Sequence, residues 1–168
     1  MVKKYSWLWG LIVLVLLTGG WAIQQQKTAK KGQTAATVTH NTHKVRPKSA
    51  KITVNIGKQR LTAHLNQSIP ARQLQRQLPL TLHFDSFGSG FDEKIADLSK
   101  SLSTTGTPTG ANPRPGDIAY WSPQPRIVFY WGDVGYYDGI HIIGHFDQRQ
   151  HAMRVIRQHT TGFTVKIT

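Results

Sequence analysis

Eight histidines, eight carboxylates and no cysteine are what any reaction in this chain has to work with. The missing thiol removes nucleophilic cysteine chemistry and thiolate metal sites together. His141 and His145 are four apart, the spacing at which a helix offers two imidazoles to one metal ion. Their neighbours Ile140, Ile142, Ile143 and Gly144 read instead as a strand, on which the two rings share a face roughly 13 to 14 Å apart, too far for one ion. His40 and His43 lie in a polar stretch without further ligands, so neither a metal nor any other cofactor is expected. Asp92, Glu93 and Asp97 resemble the paired carboxylates of hydrolases, but Lys94 and Lys100 interleave with them and favour a solvated, charge-balanced loop. "GSG" at 88–90 lacks the strand and helix that a phosphate loop requires. No catalytic residue is assigned.

Recognition chemistry is better represented. "PGDIAYWSPQPRIVFYWG", residues 115–132, holds two short strands around a proline-broken turn, with apolar or aromatic groups on both faces. Ile118, Tyr120, Ile127, Phe129 and Trp131 fit the inside of a sheet. Ala119, Trp121, Val128 and Tyr130 then need a helix or loop to cover them. The alternative leaves Trp121 and Tyr130 on an open groove flanked by Arg126 and the Tyr136–Tyr137 pair. Such a platform suits proline rings, sugar faces or extended peptides.

These strands belong to a longer pattern. In "KITVNIGKQRLTAHL", Ile52, Val54 and Ile56 alternate, Gly57-Lys58 turns the chain, and Leu61, Ala63 and Leu65 alternate again, which is a hairpin. Ser68 caps a short helix with Pro70 in its first turn and Ala71, Leu74 and Leu78 on its buried face. Leu80, Leu82 and Phe84 restore the strand period. Residues 85–115 are loop-rich, with a short strand near Lys94 to Leu98. "IHIIGHF" is a strand, Ala152, Val155, Ile156 and His159 follow a helical spacing, and "GFTVKIT" closes with a strand. The class is mainly β, a barrel or sandwich with two short helices packed on it.

Ahead of this domain, which occupies residues 49–168, the composition changes twice. Residues 27–48 have no hydrophobic period and read as a basic disordered linker. Residues 1–26 carry Lys3 and Lys4 before an apolar run from Trp7 to Ile23, an N-terminal hydrophobic helix of roughly 25 Å. That length is at the short end for a membrane span, and Trp7, Trp9 and Trp21 suit its two interfaces. An uncleaved membrane anchor is favoured over a cleaved signal, although Gly20-Trp21-Ala22 would serve as a cleavage site. The expected location is the cell membrane, with a single span and the domain outside the cytoplasm, or secretion if the segment is removed. The chain has 21 Lys and Arg against 8 acids, and every acid lies at or after Asp85. The surplus cations therefore belong to the N-terminal half. An anionic envelope polymer or lipid headgroup explains them, and nucleic acid is not an expected partner.

The order of these elements resembles the cyclophilin-like domain family over residues 50–168. The landmarks are "ITVNIGKQRLTAHL", "NQSIPARQL", "LPLTLHF", "EKIADLSKSLST", "PRPGDIAYWSP", "RIVFYWGD" and "IIGHFD". The resemblance implies a closed, eight-stranded antiparallel β-barrel capped by helices. True cyclophilins twist the bond before proline against an arginine, within a Phe-His-Arg run followed later by a Gln-Gly-Gly segment. Here His83-Phe84 is followed by Asp85, and "TLHFDSFGSGFDEKIADL" contains neither motif. The expected function is thus a membrane-tethered peptide- or ligand-binding module, with Trp121, Arg126, Tyr130, Tyr136 and Tyr137 as its candidate binding residues. The alternatives are an exported peptidyl-prolyl isomerase and a wall carbohydrate-binding domain. An arginine converging with Trp121 and Tyr130 would favour the isomerase; aromatics on a flat, open rim would favour sugar.

Overall fold

The computed structural model describes residues 49–168. The hydrophobic segment 1–26 and the linker 27–48 expected from the sequence lie outside the described residues. Among the described residues, no helix is long and apolar enough to cross a membrane.

Strands β1 (Ala50–Ile56) and β2 (Gln59–Leu65) form the expected hairpin, with every residue from Ala50 to Ile56 paired. Gly57 makes the turn at φ 54°, a region open to glycine at little cost. Helix α1 (Ile69–Gln77) starts where Ser68 Oγ accepts the Ala71 amide at 3.4 Å, with Pro70 in the first turn. Then come β3 (Leu80–Ser86), β4 (Glu93–Asp97), the short β5 (Gly110–Ala111), β6 (Asp117–Trp121), β7 (Arg126–Tyr130), the short β8 (Tyr137–Asp138), β9 (Ile140–Phe146), α2 (Arg149–Arg157) and β10 (Phe163–Ile167). Eight strands close into an antiparallel barrel in the order β1-β10-β3-β4-β7-β6-β9-β2, and β5 pairs with β8 as a separate ribbon. Closure leaves no barrel strand with a free edge.

One apolar core fills the barrel. Val54, Ala63, Phe84, Ile127, Phe129, Ile143, Phe146 and Val165 are fully enclosed in it, and α1 and α2 contribute Ala71, Leu74, Ala152, Val155 and Ile156. Phe84 stacks on Phe129 with ring centroids 4.3 Å apart, and Phe146 meets Phe129 edge-on at 5.1 Å. The expected inward set of β6 and β7, Ile118, Tyr120, Ile127 and Phe129, is buried here, with Trp131 packed against it.

Two sequence expectations are corrected. Between β6 and β9, Ile118 pairs with Gly144 while Ala119 pairs with Ile142, so Ile143 is an extra residue and the ladder bulges. His141 and His145 consequently do not share a face. His141 is buried opposite Tyr120, its ring nitrogens 2.9 Å from Thr107 Oγ1 and 3.1 Å from Ser122 Oγ. His145 is exposed beside His64, ring centroids 6.3 Å apart. The second correction is Glu93, expected in a solvated loop: it lies on β4 and is half-buried, whereas Asp97, within the expected strand, is exposed.

"PGD" is a structural clamp. Asp117 Oδ2 accepts the Arg114 amide at 2.8 Å, and Oδ1 pairs with Arg149 Nη1 at 2.8 Å. The same Nη1 donates to the Pro115 carbonyl at 3.0 Å, tying the start of β6 to α2. Gly116 sits at φ 87°, and a Cβ there would fall 2.8 Å from Arg149 Cγ. Asp117→Ala removes both acceptors and leaves the Arg114 amide unpaired. A loss of about 2 kcal/mol is expected in urea unfolding of the full chain, against well under 1 kcal/mol for an exposed control such as Asp133→Ala.

Candidate functional site

Alternation along β4 and β7 sends Lys94, Ala96, Ile127 and Phe129 inward and Glu93, Ile95, Asp97, Arg126, Val128 and Tyr130 outward. The pairing register sets these outward residues in rungs. Glu93 faces Tyr130 across the ladder, Ile95 faces Val128, and Asp97 faces Arg126. On the other side of β7, Val128 continues to Ala119 and Ile142, and Arg126 to Trp121 and Ile140.

This outer face carries a second apolar cluster, in which Ala119, Val128, Tyr130 and Ile140 are buried and Ile95, Trp121, Val134 and Ile142 pack against them. Its cover is made of loops rather than a helix. The ladder bonds of β5 and β8 hold Tyr137 opposite Ala111. The amides of Trp131 and Gly132 donate to the Asp92 carbonyl at 2.9 and 3.2 Å, tying the β3–β4 loop to the end of β7.

The cover is incomplete. A cavity of about 230 Å³ remains over the second cluster, with Ile95, Val128, Tyr130 and Ile140 contributed by the sheet region and Phe87, Phe91, Val134 and Tyr137 by the loops and β8. Trp121, Arg126 and Glu93 complete the lining. Phe87 and Phe91 meet edge-on at 5.1 Å and are exposed, as is Tyr137. The structure therefore brings together Trp121, Arg126, Tyr130 and Tyr137 of the five sequence candidates. Tyr136 stands apart: its side chain is 58% exposed, outside the lining, and its hydroxyl donates to Asp138 Oδ1 at 3.1 Å.

Sequence reasoning missed Glu93 and the Phe87/Phe91 pair. Phe87 and Phe91 bracket "GSG", and aromatics bracketing a small-residue loop were the available signal. Glu93 was hidden because "EKIAD" has a charge or an apolar group on either face and shows no clean period.

Electrostatically the cavity holds two kinds of polar group. The Tyr130 hydroxyl donates to the Glu93 carboxylate; burial first, and then the Glu93 charge, keep that phenol protonated far beyond neutral pH. Burial raises the Glu93 pKa above its ordinary 4.5, opposed by the Tyr130 hydrogen bond and the Arg126 charge. Arg126 Nε donates to Asp97 Oδ1 at 2.7 Å, with Asp97 itself 77% exposed. On the far side of Asp97 lies a polar groove of about 280 Å³ lined by His83, Asp85, Ile95 and Asp97.

Comparison with known proteins places this architecture. The profile of the Cyclophilin-like family matches residues 54–168. No curated protein sequence matches the chain. Among solved structures, McbB in complex with tryptophan is similar at 14% identity and TM-score 0.50, over 69% of this chain and 43% of McbB, so the chain spans less than half of that protein. The solution structure of the hypothetical protein AF2241 from Archaeoglobus fulgidus is similar at 15% identity and TM-score 0.48, over 71% of this chain and 93% of that one.

Because Glu93 has a raised pKa in the folded state, its contribution to stability is fully present below pH 4.5 and is lost as pH rises through the folded-state value. Glu93→Gln keeps a carbonyl acceptor for Tyr130 and removes the titration. Urea midpoints of wild type and variant are expected to converge near pH 4 and to separate toward pH 8 with the variant higher. Parallel midpoints across that range would show that Glu93 is not penalised by burial.

Proposed function

The chain belongs to the cyclophilin-like family, and from that premise we propose that its barrel is a binding module that takes a small apolar or aromatic group, free or on a peptide, into the outer-face cavity. The carrying observation is the unfilled space itself, walled by Phe87, Phe91, Trp121, Tyr130 and Tyr137 on a sheet face that is otherwise buried. Pockets for small molecules are mostly apolar with a few placed polar groups, which this lining matches in a volume just below their usual range. The Trp-flanked apolar run of residues 1–26 supports a membrane tether with the domain outside the cytoplasm. The cationic linker supports proximity to an anionic envelope surface.

A prolyl isomerase is the second reading, favoured by Arg126 lining the same cavity as Trp121 and Tyr130. Lowering a barrier of about 18–20 kcal/mol needs a donor or charge aimed at the twisted imide. Arg126 already donates its Nε to Asp97, and the Glu93 carboxylate beside it opposes positive potential in the cavity. Binding is therefore the stronger reading.

Indole is a suitable neutral probe, since McbB, which shares the fold, was captured with tryptophan. Ligand-observed NMR on the full chain is expected to show saturable indole binding, weakened about five- to tenfold by Trp121→Ala through loss of one aromatic wall. In a protease-coupled prolyl assay, no acceleration over the uncatalysed rate is expected. Acceleration that disappears in Arg126→Ala would put the isomerase first.

A further inference from the structure

The polar groups of the cavity are not balanced. Arg126 has its counter-ion in Asp97, whose carboxylate faces the neighbouring groove. Glu93 has no ion pair among the described residues: the Arg126 charge acts on it only from beyond ion-pair distance, and its hydrogen-bond donor is the Tyr130 hydroxyl. An ionised carboxylate has about four lone-pair sites, so one phenol leaves most of its capacity unused. A half-buried anion in that state costs stability unless a cation or further donors reach it. Around it stand aromatic rings, whose negative faces attract cations and repel anions. Asp85, on the rung of Ile95, lines the neighbouring groove instead, beside His83 at 3.4 Å.

Resting on the binding reading above, we infer that the cavity's ligand class is a protonated amine attached to an aromatic or apolar body, with Glu93 as its counter-ion. The apolar body occupies the space over Ile95 and Val128, and the ammonium lies between the Glu93 carboxylate and the aromatic walls. With a volume of about 230 Å³, the cavity has room for one ring system and a short chain rather than a long peptide. A free carboxylate on the ligand would face Glu93 across the same space and is disfavoured by repulsion, the Arg126 guanidinium being already paired with Asp97.

Three probes that share the indole ring separate this inference from the reading it rests on: tryptamine, neutral tryptophol and anionic indole-3-propionate. Titrated into the full chain at neutral pH, tryptamine is expected to bind at least tenfold more tightly than tryptophol, with indole-3-propionate weakest. Glu93→Gln is expected to bring the affinities for tryptamine and tryptophol together, with a cooperative urea transition showing that the variant is folded. Acidification that protonates Glu93 is expected to erase the preference in the wild type, a check that needs no variant. Equal affinity for tryptamine and tryptophol would overturn the amine inference and leave the binding module standing. Failure of all three probes to bind would overturn both.

Discussion

The ladder between β4 and β7 is the constraint on which both sides of this molecule depend. Five consecutive pairs, from Glu93 with Tyr130 to Asp97 with Arg126, fix which side chains meet inside the barrel and which meet outside. Most half-exposed sheets need only their inner face in register. Here a slip of β7 by one residue would turn Phe129 out, losing the Phe84 stack, while the outer cluster would lose Val128 and Tyr130. Two buried faces thus specify one register twice over. That double specification is what allows five-residue strands to place a cavity reproducibly.

The same strand carries opposite charges to opposite sides of the sheet. Lys94 points inward and is almost fully buried, its Nζ donating to Ser86 Oγ at 2.7 Å and to the His159 carbonyl at 2.6 Å. Burial lowers its pKa, opposed by the charge of Asp85. Its bonds fasten the segment after α2 to the barrel, and His159 stacks on Phe163 at 4.2 Å in the same place. Lys94 is therefore occupied with holding structure. Glu93, one residue earlier, reaches the opposite face, with a single phenol donating to it. Neighbouring residues of opposite charge reach opposite sides of the sheet through strand alternation alone.

How much of this could be read beforehand varied with the type of signal. The β1–β2 hairpin, both helices and β10 follow clean periods, and the landmark segments carried the barrel's closure through their likeness to a family. The face to which Trp121 and Tyr130 point was also legible, since inward Ile118, Tyr120, Ile127 and Phe129 leave them no other side. His141 and His145 were misplaced because a bulge depends on the partner strand, and a single strand's pattern does not contain it. Glu93 was missed for a related reason. Its significance comes from Tyr130, a partner 37 positions along the chain, whose register only the closed sheet determines. Phe87, Phe91 and Val134 join the site through loops, whose paths periodicity does not describe.

The departure at Asp85 now acquires a physical meaning. Where the resemblance leads one to look for an arginine after His83-Phe84, this chain has an acid, and β3 turns it outward onto the rung of Ile95. Together with Glu93 and Asp97 it gives the outer face of β3 and β4 three carboxylates, and Arg126 answers only Asp97 directly. With Arg126 already paired to Asp97, that face has less positive charge to offer the lone pair that localises on the imide nitrogen as the bond twists. The barrel's framework is shared with the family, while its outer face sets Glu93 and Tyr130 on one rung and Asp97 and Arg126 on another.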